Sequence, residues 1–260
     1  MNTSNEAIRG ALEQARARAA QAIQSLRGAV GGVTGAGERA SRSAAEEAYR
    51  MLRTNLGFAT LEHKCHSILV TSPNPDEGKT VTAANLAIML ALAGERVLLV
   101  DCDLRKPGIA RLFDLDGDRG LTNALLGGHY PLDFAQQGPV EGLEILTSGS
   151  SPPNPTELLG MQEVRDLWDR FRGSYDRVII DSPPLLAVAD ALVLATQADG
   201  VILVVSAGQT RAEAALEARG LLEKANARIL GVVMNKAVVS GQARYYKYYR
   251  RVSEGEHVRL

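Results

Sequence analysis

Apolar runs and helix-length segments alternate along most of the chain, and that rhythm predicts its architecture. HSILVTS (66–72), RVLLVDCD (96–103), LEILTSG (143–149), RVIIDSPP (177–184), GVILVVSAG (200–208) and ILGVVMNK (229–236) are dominated by Val, Ile and Leu. Strands apolar at nearly every position are buried on both faces, as in a parallel sheet covered by helices. Between them the pattern predicts helices over Lys79–Ala93, Thr156–Phe171, Val188–Gln197 and Thr210–Asn226, with Thr156 as an N-cap. A further helix is predicted from Ser41, reading SAAEEAYRMLRTNLGFA. The stretch before residue 143 is rich in Gly and Asp and reads as irregular. The expected class is α/β, a mostly parallel sheet with helices on both faces.

The two ends follow other rules. In residues 5–30, Ile8, Leu12, Ala15, Ala19, Ile23, Leu26 and Val30 recur at helical spacing, giving a thin, alanine-rich stripe. Such a stripe suits docking on a helix or membrane surface, and equally a loosely held extension. GAVGGVTGAG (28–37) has five glycines and reads as a flexible linker. The chain thus divides into a basic extension and linker (1–42), a main domain (43–238) and a tail (239–260). In that tail, Tyr245, Tyr246, Tyr248 and Tyr249 alternate with Arg244, Lys247, Arg250 and Arg251 rather than with aliphatic residues. Phenols with no core to fill suggest groups that are acted upon.

Composition narrows the function. The net charge of −1 argues against whole-surface attraction to nucleic acid. The ends are basic and the middle acidic. Two isolated cysteines, Cys65 and Cys102, form no disulfide framework and point to a reducing cytoplasm. His63, Cys65 and His66 alternate into a strand, and alternating residues do not converge on one ion. The longest apolar run, Leu86–Ala93, is too short to span a bilayer, and no signal peptide is visible.

Three segments carry chemistry. SPNPDEGKT (72–80) follows a strand and opens a helix, the setting of a phosphate-binding loop. Pro75, Asp76, Glu77, Gly78, Lys79, Thr80 and Val81 would line the phosphates, with the backbone N–H groups after Pro75 cradling them. Lys79 would reach the β/γ oxygens and Thr80 would offer its hydroxyl to Mg²⁺. Pro73 replaces the usual first glycine, and Asp76 stands where glycine is common. In VLLVDCDLRKP (97–107), alternation points Asp101 and Asp103 to one face at a strand's C-terminal end. In VIIDSPP, Asp181 ends another strand and matches the acidic partner of a P-loop.

In this order the motifs resemble the cytoplasmic domain of bacterial tyrosine kinases, the autokinases of capsular and exopolysaccharide production, over roughly residues 43–250. These belong to the deviant P-loop class that includes the partitioning ATPases. Glu47, Arg50 and Arg53 in EEAYRMLRTNL resemble the family's Glu-x-x-Arg-x-x-Arg helix. An ordinary surface helix with i,i+3 ion pairs is the simpler reading of those residues. Asn74 stands where the positioning ATPases carry a signature lysine, and Asn235 where related proteins contact adenine.

The resemblance implies ATP and Mg²⁺ as cofactors, with Thr80, Asp103 and Asp181 at the metal. Lys79, Asp101 and Asp103 would be catalytic, and Asp101 the base for an incoming tyrosine. Tyr245, Tyr246, Tyr248 and Tyr249 would be phosphoacceptors, used in trans within a ring whose interface includes Glu47, Arg50 and Arg53. It further implies a membrane-embedded co-polymerase whose cytoplasmic tail activates the kinase, protein-tyrosine substrates, a cognate phosphatase, and a place at the inner face of the membrane. The chain would then be a split-type member or a piece of a longer protein. Two alternatives stand beside this: a positioning ATPase, and a catalytically weak scaffold whose Asp76 impairs nucleotide binding.

Overall fold

The computed structural model describes residues 36–237. The N-terminal stripe and the tyrosine cluster lie outside them. Helix α1 (Ala36–Ala59) leads into β1 (Ser67–Thr71), α2 (Lys79–Ala91) and β2 (Val97–Asp101). The irregular stretch contains two short helices, α3 (Ile109–Phe113) and α4 (Leu121–Gly127), a 3₁₀ turn (Pro131–Phe134) and β3 (Gln136–Gln137). There follow β4 (Leu143–Leu146), α5 (Pro155–Leu159), α6 (Gln162–Phe171), β5 (Arg177–Asp181), α7 (Asp190–Ala195), β6 (Gly200–Ser206), α8 (Ala212–Lys224) and β7 (Ile229–Asn235).

The strands form one sheet in the order β3-β4-β2-β5-β1-β6-β7. All pairings are parallel except β3 with β4 at the edge. Every residue of β1, β2 and β6 is buried, which is why these strands read as unbroken apolar runs. One face packs against α1, α2 and α3, with Leu56, Leu86, Leu90 and Ile109 in its core. The other packs against α4 to α8, where Trp168, Phe171 and Tyr175 meet edge to face. Helix α2 is buried at every position from Thr82 to Ala91 because it lies between the sheet and α1.

Three expectations need correction. Helix α1 begins at Ala36, so the last two residues of the expected linker are already helical. The single helix expected over 156–171 is two. The Gly160 N–H closes on the carbonyls of Thr156 and Glu157, and Met161 is extended, so the chain turns before α6. The N-cap position of α5 is Asn154, with Pro155 at the first helical position. Thr156 instead directs its hydroxyl to Asp190.

Candidate nucleotide site

Strands β2, β5 and β1 are adjacent and parallel, so their C-terminal ends share one edge of the sheet. The loop after β1 is the phosphate-loop candidate. Asp101 and Asp181 end β2 and β5 and are direct register partners. This is where open α/β sheets bind ligands.

The loop's conformation explains its residues. Gly78, preceding α2, has φ 93°, and a Cβ there would lie 2.0 Å from Asn235 Nδ2. Only glycine fits. Asp76 has φ 61° and is exposed. Asp tolerates this left-handed region better than most residues, so it can stand where glycine is usual, with its charge toward solvent. The Glu77 carboxylate is buried and accepts from Asn74 N (3.0 Å), Asn74 Nδ2 (3.1 Å) and Thr210 Oγ1 (2.6 Å). Lys236 Nζ donates to the Asp76 carbonyl at 2.7 Å, and Asn235 Nδ2 to the Glu77 carbonyl at 2.9 Å. From the other side, the Leu185 and Leu186 amides donate to the Ser72 and Pro73 carbonyls. The loop is thus braced by the segments after β5, β6 and β7. Sequence reasoning missed Glu77, Thr210 and Lys236 as braces, because their partners are distant in the chain and leave no local spacing to read.

Lys79 Nζ lies 2.9 Å from Asp103 Oδ2 and 3.4 Å from Thr80 Oγ1. Burial works against its charge, but Asp181, Asp103 and Asp101 outweigh this and raise its pKa. Strand β2 stops at Asp101, so Asp103 stands on the following turn and not on a shared strand face. Asp101 accepts three backbone N–H groups, from Asp103 (3.1 Å), Gly108 (3.0 Å) and Ile109 (3.0 Å). It thereby shapes the turn that carries Asp103. Burial, and next the charge of Asp181, push Asp101 up to about 7.

Asp181 has no solvent exposure, and neither carboxylate oxygen has a hydrogen-bond partner of normal geometry. Burial raises it to about 6, although nearby Lys79 and the Thr80 hydroxyl favour its charged form. A buried carboxylate with two bare oxygens is costly unless a cation completes it. Thr80, Asp103 and Asp181 supply the hard oxygens that Mg²⁺ takes when phosphate oxygens and water fill its remaining positions. The residues present therefore fit a magnesium nucleotide. On α1, Arg50 pairs with Glu46 and Glu47 of its own helix, and Arg53 has no ion-pair partner among the described residues. Cys65 and His66 lie at the opposite end of β1 from the loop.

The phosphate loop, the two strand-end aspartates and the parallel sheet define a P-loop nucleotide-binding protein. Comparison with known proteins agrees. Residues 64–254 match the ParA family model, described as NUBPL iron-transfer P-loop NTPase. The chain is 42% identical over 207 residues to tyrosine-protein kinase YwqD of Bacillus subtilis, covering 80% of this chain and 87% of YwqD. It is 38% identical over 214 residues to the putative tyrosine-protein kinase EpsB of Ralstonia solanacearum, where it spans 28% of the longer relative. The crystal structure of the chimerical protein CapA2B2 superposes with a TM-score of 0.70 at 37% identity, over 74% of this chain and 84% of that one. The chain belongs to the bacterial tyrosine-protein kinases, within the ParA-like P-loop NTPases.

Proposed function

We propose that the chain is an ATP-dependent protein-tyrosine autokinase that phosphorylates its own tail in trans and regulates polysaccharide polymerisation or export. The observation that carries this is the convergence of Lys79, Thr80, Asp103 and the bare Asp181 beside a braced phosphate loop, in a member of this kinase family. Thr80, Asp103 and Asp181 would hold Mg²⁺, which would offset phosphate charge. Lys79 leaves Asp103 for the nucleotide and stabilises charge on the transferred group. The phenol oxygen of a tail tyrosine attacks the γ-phosphorus, the bond to the β–γ bridging oxygen breaks, and ADP leaves. Asp101, its pKa near neutral, takes the phenolic proton. Asp101 Oδ2 takes the Gly108 and Ile109 amides and Oδ1 the Asp103 amide, which leaves Oδ1 as the oxygen for the phenol.

Asn235 is bonded to the Glu77 carbonyl of the loop, and its contact with the base of a bound nucleotide belongs to the same reading. Asn74 weighs against the positioning ATPase, because its amide is committed to Glu77 of its own loop. The exposure of Asp76 weighs against the weak scaffold. The ring through Glu47, Arg50 and Arg53, the membrane-embedded activator, the other protein substrates and the phosphatase belong to the same reading. The greater length of EpsB supports an activating segment outside this chain. No helix among the described residues is long and apolar enough to cross a membrane, and a place at its inner face belongs to the same reading.

The test is incubation with Mg-ATP, with and without a candidate activator tail, and mapping of phosphate by mass spectrometry. Phosphate on Tyr245, Tyr246, Tyr248 or Tyr249, abolished by Lys79→Met, is expected. ATP hydrolysis with unmodified tyrosines would instead establish the positioning ATPase.

A further inference from the structure

We propose that Arg105 is a positioning residue, which fixes Asp103 by clamping the turn after β2 to the segment after β5. Arg105 lies two residues beyond Asp103. Its guanidinium grips Asp190 with both arms, Nε to Oδ2 at 2.7 Å and Nη2 to Oδ1 at 3.1 Å. Nη2 also donates to Thr156 Oγ1 at 3.1 Å, and the Thr156 hydroxyl donates to Asp190. Asp190 has no solvent exposure, and it sits in the first turn of α7. Burial alone would raise its pKa, yet Arg105 and Thr156 together hold it below the ordinary carboxylate value. A fork-shaped pair of this kind fixes direction as well as distance.

The clamp adds a side-chain tie between the turn after β2 and the segment after β5. At its start the turn is held by the Cys102 amide on the Asp181 carbonyl at 2.8 Å and by Ser151 Oγ on the Leu104 carbonyl at 3.2 Å, and from within by Asp101 and by the Lys106 amide on Asp103 Oδ1 at 3.0 Å. Arg105 fixes the part of the turn beyond Leu104 relative to α7. Asp190 belongs to the segment that begins at Asp181 and whose Leu185 and Leu186 amides are bonded to the phosphate loop. Through Arg105, Asp103, Asp181 and the loop become one rigid constellation. Gly108, at the end of the same turn, touches Thr80, where a Cβ would lie 3.1 Å from its methyl group. A shift of the turn would therefore disturb Thr80 as well.

The inference rests on the kinase reading of the site, and the test separates the two. The clamp between exposed Arg105 and buried Asp190 is removed without stranding the Asp190 charge by combining Arg105→Met, Thr156→Val and Asp190→Leu, a kind of apolar replacement that often leaves stability unchanged or raises it. Autophosphorylation kcat is expected to fall by about 100-fold, the order of loss for a misplaced catalytic group, while KM for ATP changes by less than about threefold. Arg105→Lys keeps a cation beside Asp190 but loses the fork. It is expected to lose about tenfold in kcat with an unchanged melting temperature, and it decides the matter if the triple variant does not fold.

Amide exchange at Lys106, Gly108 and Ile109 should quicken in both variants while the strands stay protected. Unchanged kcat and exchange in a folded variant would overturn the clamp. If the unaltered protein transfers no phosphate to tyrosine, the kinase reading fails, and the exchange measurement still decides whether Arg105 holds the turn.

Discussion

Asp181 shows what a proposed metal-site carboxylate costs a folded chain. Its raised pKa and that of Asp101 both exceed the ordinary carboxylate value of 3.8. Between about pH 4 and pH 7 the folded state therefore holds more protons than the unfolded chain. The stability these two groups contribute is present at low pH and is lost as pH rises through their folded pKa values. Without nucleotide, unfolding midpoints should fall from pH 5 to pH 8. Asp181→Asn should flatten that slope and stabilise the protein at pH 8 by up to about 3 kcal/mol, at about 1.4 kcal/mol per pKa unit, while abolishing transfer. Denaturant titrations at both pH values check this. Asp76→Gly should leave nucleotide affinity within about twofold, because glycine also accepts the left-handed conformation. Asp76→Val should cost about 1–2 kcal/mol, measurable in the same titrations.

At the scale of elements, the six main strands were legible because burial on both faces leaves continuous Val, Ile and Leu. Their ends were less so: β2 stops at Asp101, and Asp103 owes its position to a turn. The break between α5 and α6 escaped because apolar spacing continues across Gly160, while the bonds that end α5 are local backbone closures. Residues 104–142 looked irregular because their helices are only five and seven residues long, too short to show a period. The catalytic candidates could be named from motifs, but the braces through Thr210 and Lys236 form only once the sheet is assembled. Helix α2 is buried from Thr82 to Ala91 and Leu86 has no solvent exposure, so Leu86→Ala should cost about 2–5 kcal/mol in a chemical denaturation series.

For the whole molecule, charge and assembly are the levers. Among the described residues Arg50 pairs only within α1, and such exposed helical pairs are worth about 0.3–0.5 kcal/mol. Replacing Arg50 and Arg53 by Ala should leave the melting temperature nearly unchanged while shifting light-scattering mass toward the monomer. The tail carries about +3, and each phosphotyrosine adds about −1.5 to −2. Four would reverse its sign and, on the proposed function, drive it from the acidic pocket and loosen the proposed ring. A variant with all four tyrosines changed to Phe should stay assembled under conditions where the phosphorylated protein does not.

The brace formed by Asn235 and Lys236 adds a kinetic consequence. It makes the polypeptide leave the described domain beside its own phosphate loop. Eight residues lead from Ala237 to Tyr245, a reach of at most about 29 Å. A tether this short gives its end an effective concentration in the millimolar range at sites within its reach. Transfer to a neighbour must exceed that advantage, so the order of the reaction distinguishes the two routes. An initial rate per molecule that rises with protein concentration marks exchange between copies, and a constant one marks a molecule labelling itself.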